Sequence, residues 1–279
     1  MPAEMPPNLL VTGANGDIGR CLVKLALARG TRVFATIRSE AHIASFDQHE
    51  RLSFFMMHVD DPASVSAAFA QLDEHLQGEP LAAVVHCAAV ETPACVEFLD
   101  PRELETTLRI NTIGALSVMQ HAMPRLRHSG GNLVLASSLW GFASGPAVGP
   151  YAASKWALEA LINAARCETA AMGFSISAAN IGAVKSRMLD HHVDAVEALL
   201  ENGSDDFRSL YGACLERHAK SSRKFHSLAS KAENVAEQLF AIASAQRPKA
   251  SYAIGADAKL LRILNWAMPR GVMDKILIG

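Results

Sequence analysis

Two rhythms of apolar residues alternate along the chain. Short, almost continuous apolar runs at 9–12, 32–37, 52–59, 82–88, 132–136, 175–180 and 250–254 have the length and character of strands buried on both faces. Between them, apolar positions recur every three to four residues. That spacing predicts helices from about Ile18, after Pro62, over 103–127, 151–172, 232–245 and 259–267. Strand and helix in strict turn predict an α/β domain, a doubly wound parallel sheet with helices on both faces, spanning 1–279 as one unit. Such sheets place their ligands outside the C-terminal ends of the strands. One stretch, 188–231, breaks the rhythm. It is helical, rich in His, Ser and charge, and is expected to be an insertion or lid near the substrate site.

Composition narrows the class without naming a reaction. Half of the 279 residues are hydrophobic, so a large core is easily supplied, and a net charge of −2 with dispersed basic residues gives no nucleic-acid footprint. The five cysteines (Cys21, Cys87, Cys95, Cys167, Cys214) are scattered without a C-x-x-C pair and read as thiols of a reducing compartment. No Cys/His cluster has metal-site spacing, so no metal is expected. The first seven residues lack a basic-then-apolar leader pattern, and no run reaches the ~20 apolar residues of a transmembrane helix. The expectation is a soluble, cytoplasmic protein.

The first candidate chemistry lies between the first strand and the first helix, in Thr12-Gly-Ala-Asn-Gly-Asp-Ile-Gly19. Glycines at 13, 16 and 19 permit a tight turn, close backbone approach to a pyrophosphate and close helix packing, while the helix end offers N–H groups to phosphate. Asp17 is awkward there, since a carboxylate aimed inward would repel the phosphates; it is expected to face solvent and serve the helix terminus. The second strand ends in Thr36-Ile-Arg38, with a guanidinium where an acid would hold a ribose diol. That favours a 2′-phosphate, hence NADP(H) over NAD(H).

The second candidate is Tyr151 with Lys155, one helical turn on, and Ser138 thirteen residues upstream. Positions i and i+4 share a helix face, so phenol and ammonium can enter one site. An unperturbed tyrosine, with a pKa near ~10, is a poor proton shuttle at neutral pH. The lysine charge is expected to lower it, with Ser138 holding the substrate oxygen.

Taken together, the glycine turn, Asn111, Ala136-Ser-Ser138, Tyr151-x-x-x-Lys155 and Ile181-Gly-Ala-Val-Lys-Ser186 resemble the short-chain dehydrogenase/reductase family over essentially the whole chain. The resemblance implies a Rossmann fold and a homodimer or homotetramer. It also implies catalysis by Asn111, Ser138, Tyr151 and Lys155, with Tyr151 as general acid/base and Asn111 supporting a water relay through Lys155. Cofactor contacts would come from Gly13, Asn15, Gly16, Ile18, Gly19, Arg38, His58, Val59, Ala88, Tyr151, Lys155, Gly182, Val184 and Ser186. Substrate contacts are expected from Ser138 and Tyr151, and from Trp140 and Met188, which with Leu139, Phe142 and Leu189 flank the catalytic positions as the lining of an apolar pocket.

The compact branch fits best, with departures. Asp17 follows Gly16 where that branch has another glycine, His86-Cys-Ala-Ala89 replaces N-N-A-G, and Ile181 replaces a proline. His58 stands where an Asp usually contacts adenine, although Asp60 is close. The first two departures look like the extended, epimerase/dehydratase branch. Pro248-Lys-Ala-Ser-Tyr-Ala-Ile-Gly-Ala-Asp-Ala-Lys-Leu-Leu261 and Ser154-Lys-Trp-Ala-Leu-Glu159 look like steroid and retinol dehydrogenases. That implies a bulky apolar ketone or secondary alcohol as substrate. Two other readings stay open: an epimerase or dehydratase with tightly held NAD(P), and a non-catalytic NADP-binding sensor or scaffold on the same fold. The apolar segment 260–268 is read as core, subunit interface or membrane-surface helix.

Overall fold

Alternation along each strand explains the architecture. In β1 (Asn8–Thr12), Leu9 and Val11 enter the core on one face of the sheet while Leu10 enters the core on the other. The same split recurs in β2 (Arg32–Ile37), with Val33 and Ala35 opposite Phe34. A strand apolar on both faces must be covered on both.

The computed structural model describes residues 6–278, less the side chains of 225–227, so most of the N-terminal stretch read for a leader lies outside the described residues. After β1 come α1 (Asp17–Ala28), β2, β3 (Leu52–Met56), α2 (Pro62–Leu76) and β4 (Ala83–His86). There follow α3 (Pro101–Leu108), α4 (Ala115–Ser129), β5 (Asn132–Ser138), α5 (Gly149–Glu168) and β6 (Ser175–Ile181). The chain ends with β7 (Val184–Lys185), α6 (Arg187–Asn202), α7 (Asp205–Leu228), β8 (Ser230–Lys231), α8 (Ala232–Ala243), β9 (Ser251–Ile254), α9 (Ala256–Ala267) and α10 (Arg270–Ile278).

Seven strands form one parallel sheet in the order β3-β2-β1-β4-β5-β6-β9. The order reverses between β1 and β4, which opens a crevice at their C-terminal ends. One face packs on α1 and α8 through Leu22, Val23, Val235, Leu239 and Phe240; the other packs on α2, α4 and α5 through Phe69, Leu72, Val118, Leu126, Leu158 and Ile162. The expected parallel α/β domain is what forms. Among the described residues no helix is long and apolar enough to cross a membrane.

Three details depart from the sequence reading. The single helix expected over 103–127 is α3 and α4 joined by a π-helical stretch, Arg109–Gly114, which contains Asn111. An added helix, α10, follows Pro269. The irregular stretch 188–231 lies in two helices, α6 and α7, closed at their base by β7 pairing with β8. The pair shares a small core of Val196, Phe207, Leu215 and Ala219 with Cys95 and Ala147.

Candidate active site

The glycine turn lies at the end of β1, and its three glycines do different work. Gly13 has φ +64, and a Cβ on it would fall 2.7 Å from Ala88 N; a Cβ on Gly19 would fall 2.4 Å from the Gly13 carbonyl oxygen. Both are needed by the protein's own packing, and the first sets Ala88 beside the turn. Gly16 differs: a Cβ there would meet only the Gly13 carbonyl oxygen, at 3.3 Å. It is also the N-cap of α1 and supplies no side-chain cap, leaving first-turn N–H groups uncapped by a side chain. Bare backbone at a helix N-terminus fits a dinucleotide pyrophosphate. Asn15 and Ile18 flank Gly16 in the same turn.

Asp17 does not simply face solvent as expected. Its carboxylate accepts the main-chain N–H of Arg187 at 2.8 Å and that residue's Nε at 3.0 Å, an interaction between residues 170 positions apart. The departure from expectation arises because the turn abuts the start of α6.

Other expected cofactor positions follow the C-terminal ends of β2, β3, β4 and β6. Arg38 is exposed just past β2, with no hydrogen bond or ion pair among the described residues. Val59 is buried and exposed His58 donates its main-chain N–H to Ser64 Oγ. Gly114 abuts Val59, its imagined Cβ 2.8 Å from the Val59 carbonyl. Past β6, Val184 is buried, Ser186 caps α6, and Gly182 lies against Asp257, whose carboxylate accepts the Ala183 N–H at 2.6 Å. His86 ends β4 and shares a 2.7 Å hydrogen bond with Thr12 Oγ1. Burial first, then Lys155, lowers its pKa to about 3, so it is neutral at pH 7.

The second cluster lies one strand over. Ser138, the last residue of β5, accepts the Trp140 N–H at 3.2 Å, and its hydroxyl acts on the Tyr151 phenol to favour the charged form. Tyr151 sits in the first turn of α5 with Lys155 one turn later, and both are buried, at 8% and 2% exposure. Lys155 Nζ stands 5.6 Å from the centre of the tyrosine ring and donates to the Ala136 carbonyl at 2.9 Å. Burial lowers the lysine to about 8, a value that still leaves it mostly charged at neutral pH. The tyrosine runs opposite to the sequence expectation. Burial above all, then the Glu91 carboxylate, push its pKa up, and only the Ser138 hydrogen bond pulls it down. In this state the phenol keeps its proton.

Asn111 is wholly inside the fold. Its Nδ2 donates to the Val90 carbonyl and to Ser154 Oγ, and its Oδ1 accepts the Val90 N–H. Ser154 in turn donates to the Tyr151 carbonyl at 2.7 Å. The amide therefore clamps the segment after β4 to the tyrosine's helix, and the π-helical stretch carries it there.

The clamped segment leads to Glu91, which spacing alone did not reveal. His192 Nδ1 stands 3.0 Å from its carboxylate without hydrogen-bond alignment, and His192 Nε2 meets His218 Nε2 at 2.9 Å. The only sequence cue was an acid just past a strand end, five residues after His86. Leu139 is buried, and Trp140, Met188 and Leu189 are half-buried.

The family model described as short chain dehydrogenase matches residues 7–197. A 3-amino-tetrahydro-pyrrolizinone reductase from Xenorhabdus hominickii is 26% identical over 253 residues, 90% of this chain and 88% of the relative. Human 17-beta-hydroxysteroid dehydrogenase type 6 is 27% identical over 283 residues, 96% of this chain and 87% of that protein. A short chain dehydrogenase from Burkholderia cenocepacia J2315, solved in complex with NADP, aligns with a TM-score of 0.76 at 18% identity, covering 99% of this chain and 98% of its own.

Proposed function

The chain belongs to the short-chain dehydrogenase family, and on that premise we propose that it reduces a bulky apolar ketone to a secondary alcohol with NADPH, Tyr151 giving the proton. The observation that carries this reading is the buried Tyr151 phenol, held protonated by its burial, with Lys155 Nζ 5.6 Å from its ring on the next turn of the same helix. A tyrosine held protonated is set to act as an acid, which is the role ketone reduction requires.

When bound, the nicotinamide supplies a hydride to the carbonyl carbon. The protein's part is to manage the oxygen. Negative charge grows there as the carbonyl opens, and the Ser138 and Tyr151 hydroxyls stabilise it by hydrogen bonding. Tyr151 then transfers its proton. The phenolate left behind is stabilised by the nearby Lys155 ammonium, which favours the charged form more than the neutral one. Asn111 acts by position, holding Val90 and the start of α5 together.

Arg38, exposed and without a partner among the described residues, supports a 2′-phosphate on the adenosine side and hence NADP(H). Gly13, Asn15, Gly16, Ile18 and Gly19 would hold the pyrophosphate, with His58, Val59 and Ala88 near the adenine half. Gly182, Val184 and Ser186 would lie toward the nicotinamide. Trp140 and Met188 give the substrate side apolar surface, and α6 with α7 would cover it. The exposed row Leu260, Ile263 and Trp266 on α9 supports a second subunit there.

The test is NADPH consumption with steroid and polycyclic ketones, wild type beside Tyr151→Phe. The variant is expected to lose about 10²–10⁴-fold in kcat while still binding NADPH. An undiminished rate would remove Tyr151 from the mechanism. Tight NADPH binding with no ketone reduced would move the reading to the epimerase side, where the cofactor is not consumed.

A further inference from the structure

The turn expected to cradle pyrophosphate carries an acid in an unfavourable place. Asp17 is the first residue of α1, immediately after the bare Gly16, where a phosphate gains most from the helix end. A free carboxylate there would cancel much of that attraction. The fold supplies its counter-charge from 170 residues away: Arg187, the first residue of α6, grips Asp17 with its main-chain N–H at 2.8 Å and its Nε at 3.0 Å. The same guanidinium donates Nη2 to the Asn15 carbonyl at 2.7 Å. It therefore neutralises the acid and also ties down a turn carbonyl, the other negative pole near the phosphates. Arg20 reaches the same carbonyl at the longer distance of 3.3 Å.

We propose that Arg187 is a positioning residue for the dinucleotide: by pairing with Asp17 it lets an acid occupy the glycine turn without repelling the pyrophosphate, and so makes cofactor affinity depend on where α6 begins. The inference rests on the reading that a dinucleotide binds at this turn. Ser186 strengthens the link, because it caps α6 one residue before Arg187 and lies on the segment expected to meet the nicotinamide. The start of α6 therefore joins the pyrophosphate turn to the nicotinamide side.

A double-mutant cycle on NADPH binding, read by fluorescence titration with melting temperature alongside, tests it. Arg187→Ala is expected to weaken NADPH about tenfold, because the carboxylate, stripped of its counter-charge, now repels the phosphates. That loss should shrink as salt rises. Asp17→Asn alone should bind at least as tightly as wild type, and the double variant should return to within about threefold of it. A purely structural role for Arg187 would not be rescued by neutralising Asp17. Unchanged binding in Arg187→Ala, or a double variant as weak as the single, would overturn the proposal. Failure of the wild type to bind either NADPH or NADH would instead overturn the reading that a dinucleotide binds at this turn, and the inference with it.

Discussion

The sheet and the α6/α7 pair are held by different forces. Between its two helical layers the sheet buries Leu10, Phe34, Val84 and Leu133 on one side and Leu9, Val33, Val85 and Val134 on the other, all but excluded from solvent. Such packing responds little to pH or salt. The helix pair has only a small core of its own. Much of its attachment is polar: Glu91 with His192, Tyr211 with Glu97, and Asp17 with Arg187, while His192 meets His218 inside the pair. A frame held by apolar packing thus bears the proposed catalytic groups, and the helix pair is joined to it largely by polar contacts. The lesson is that pH and salt should act on the pair before the frame.

The largest effect should come from matched truncations. Leu133 and Leu215 are almost equally buried, at 0% and 1% exposure. Leu133→Ala should cost about 2–5 kcal/mol of global stability, with every probe melting together. Leu215→Ala should lower global melting less and appear chiefly as protease cutting within α6 and α7. If both variants melt alike with no selective cutting, the two regions form one cooperative unit and the contrast fails.

Acid should separate the regions next. His218 is lowered to about 4, by burial first and then His192, and His86 to about 3. In each case the folded protein refuses a proton that the unfolded chain accepts below about pH 6.5. The stabilisation is complete above that pH and is lost as pH falls toward 4 and 3. Hydrogen-exchange protection in α6 and α7, taken relative to the unfolded chain at each pH, should therefore fall between pH 6.5 and 4, before the sheet loosens. His218→Gln should flatten that early phase and leave the later one, set by His86, intact. Early opening that survives His218→Gln would assign it to another group.

The smallest effect belongs to the surface. Arg208 bonds Asp205 at 2.5 Å across two largely exposed side chains. Arg208→Ala should cost below about 1 kcal/mol, detectable in exchange at the start of α7 and not in global melting.

Much of the sheet could be read from spacing because strand burial writes itself locally: a residue's face is set by its parity along the strand. β2 falls where its apolar run predicts, and the glycine turn sits between β1 and α1 as its residues require. The pairing of Tyr151 with Lys155 was legible for the same reason, since four residues on a helix fix a shared face. The π-helical stretch at Asn111 was not, because it yields to the clamp on Val90 and Ser154, contacts 21 and 43 residues away.

By itself, then, the order of residues determined the parallel α/β frame, the turn suited to phosphate and the spacing that puts Tyr151, Lys155 and Ser138 at one strand end. Only the tertiary structure decided that Tyr151 keeps its proton, that Asp17 is answered by Arg187, and that Glu91 leads to two histidines on the helix pair. The physical reason is that propensity and periodicity act over a few neighbouring residues. Desolvation and Coulomb interactions depend on distance in space, and the fold sets that distance without regard to position in the chain.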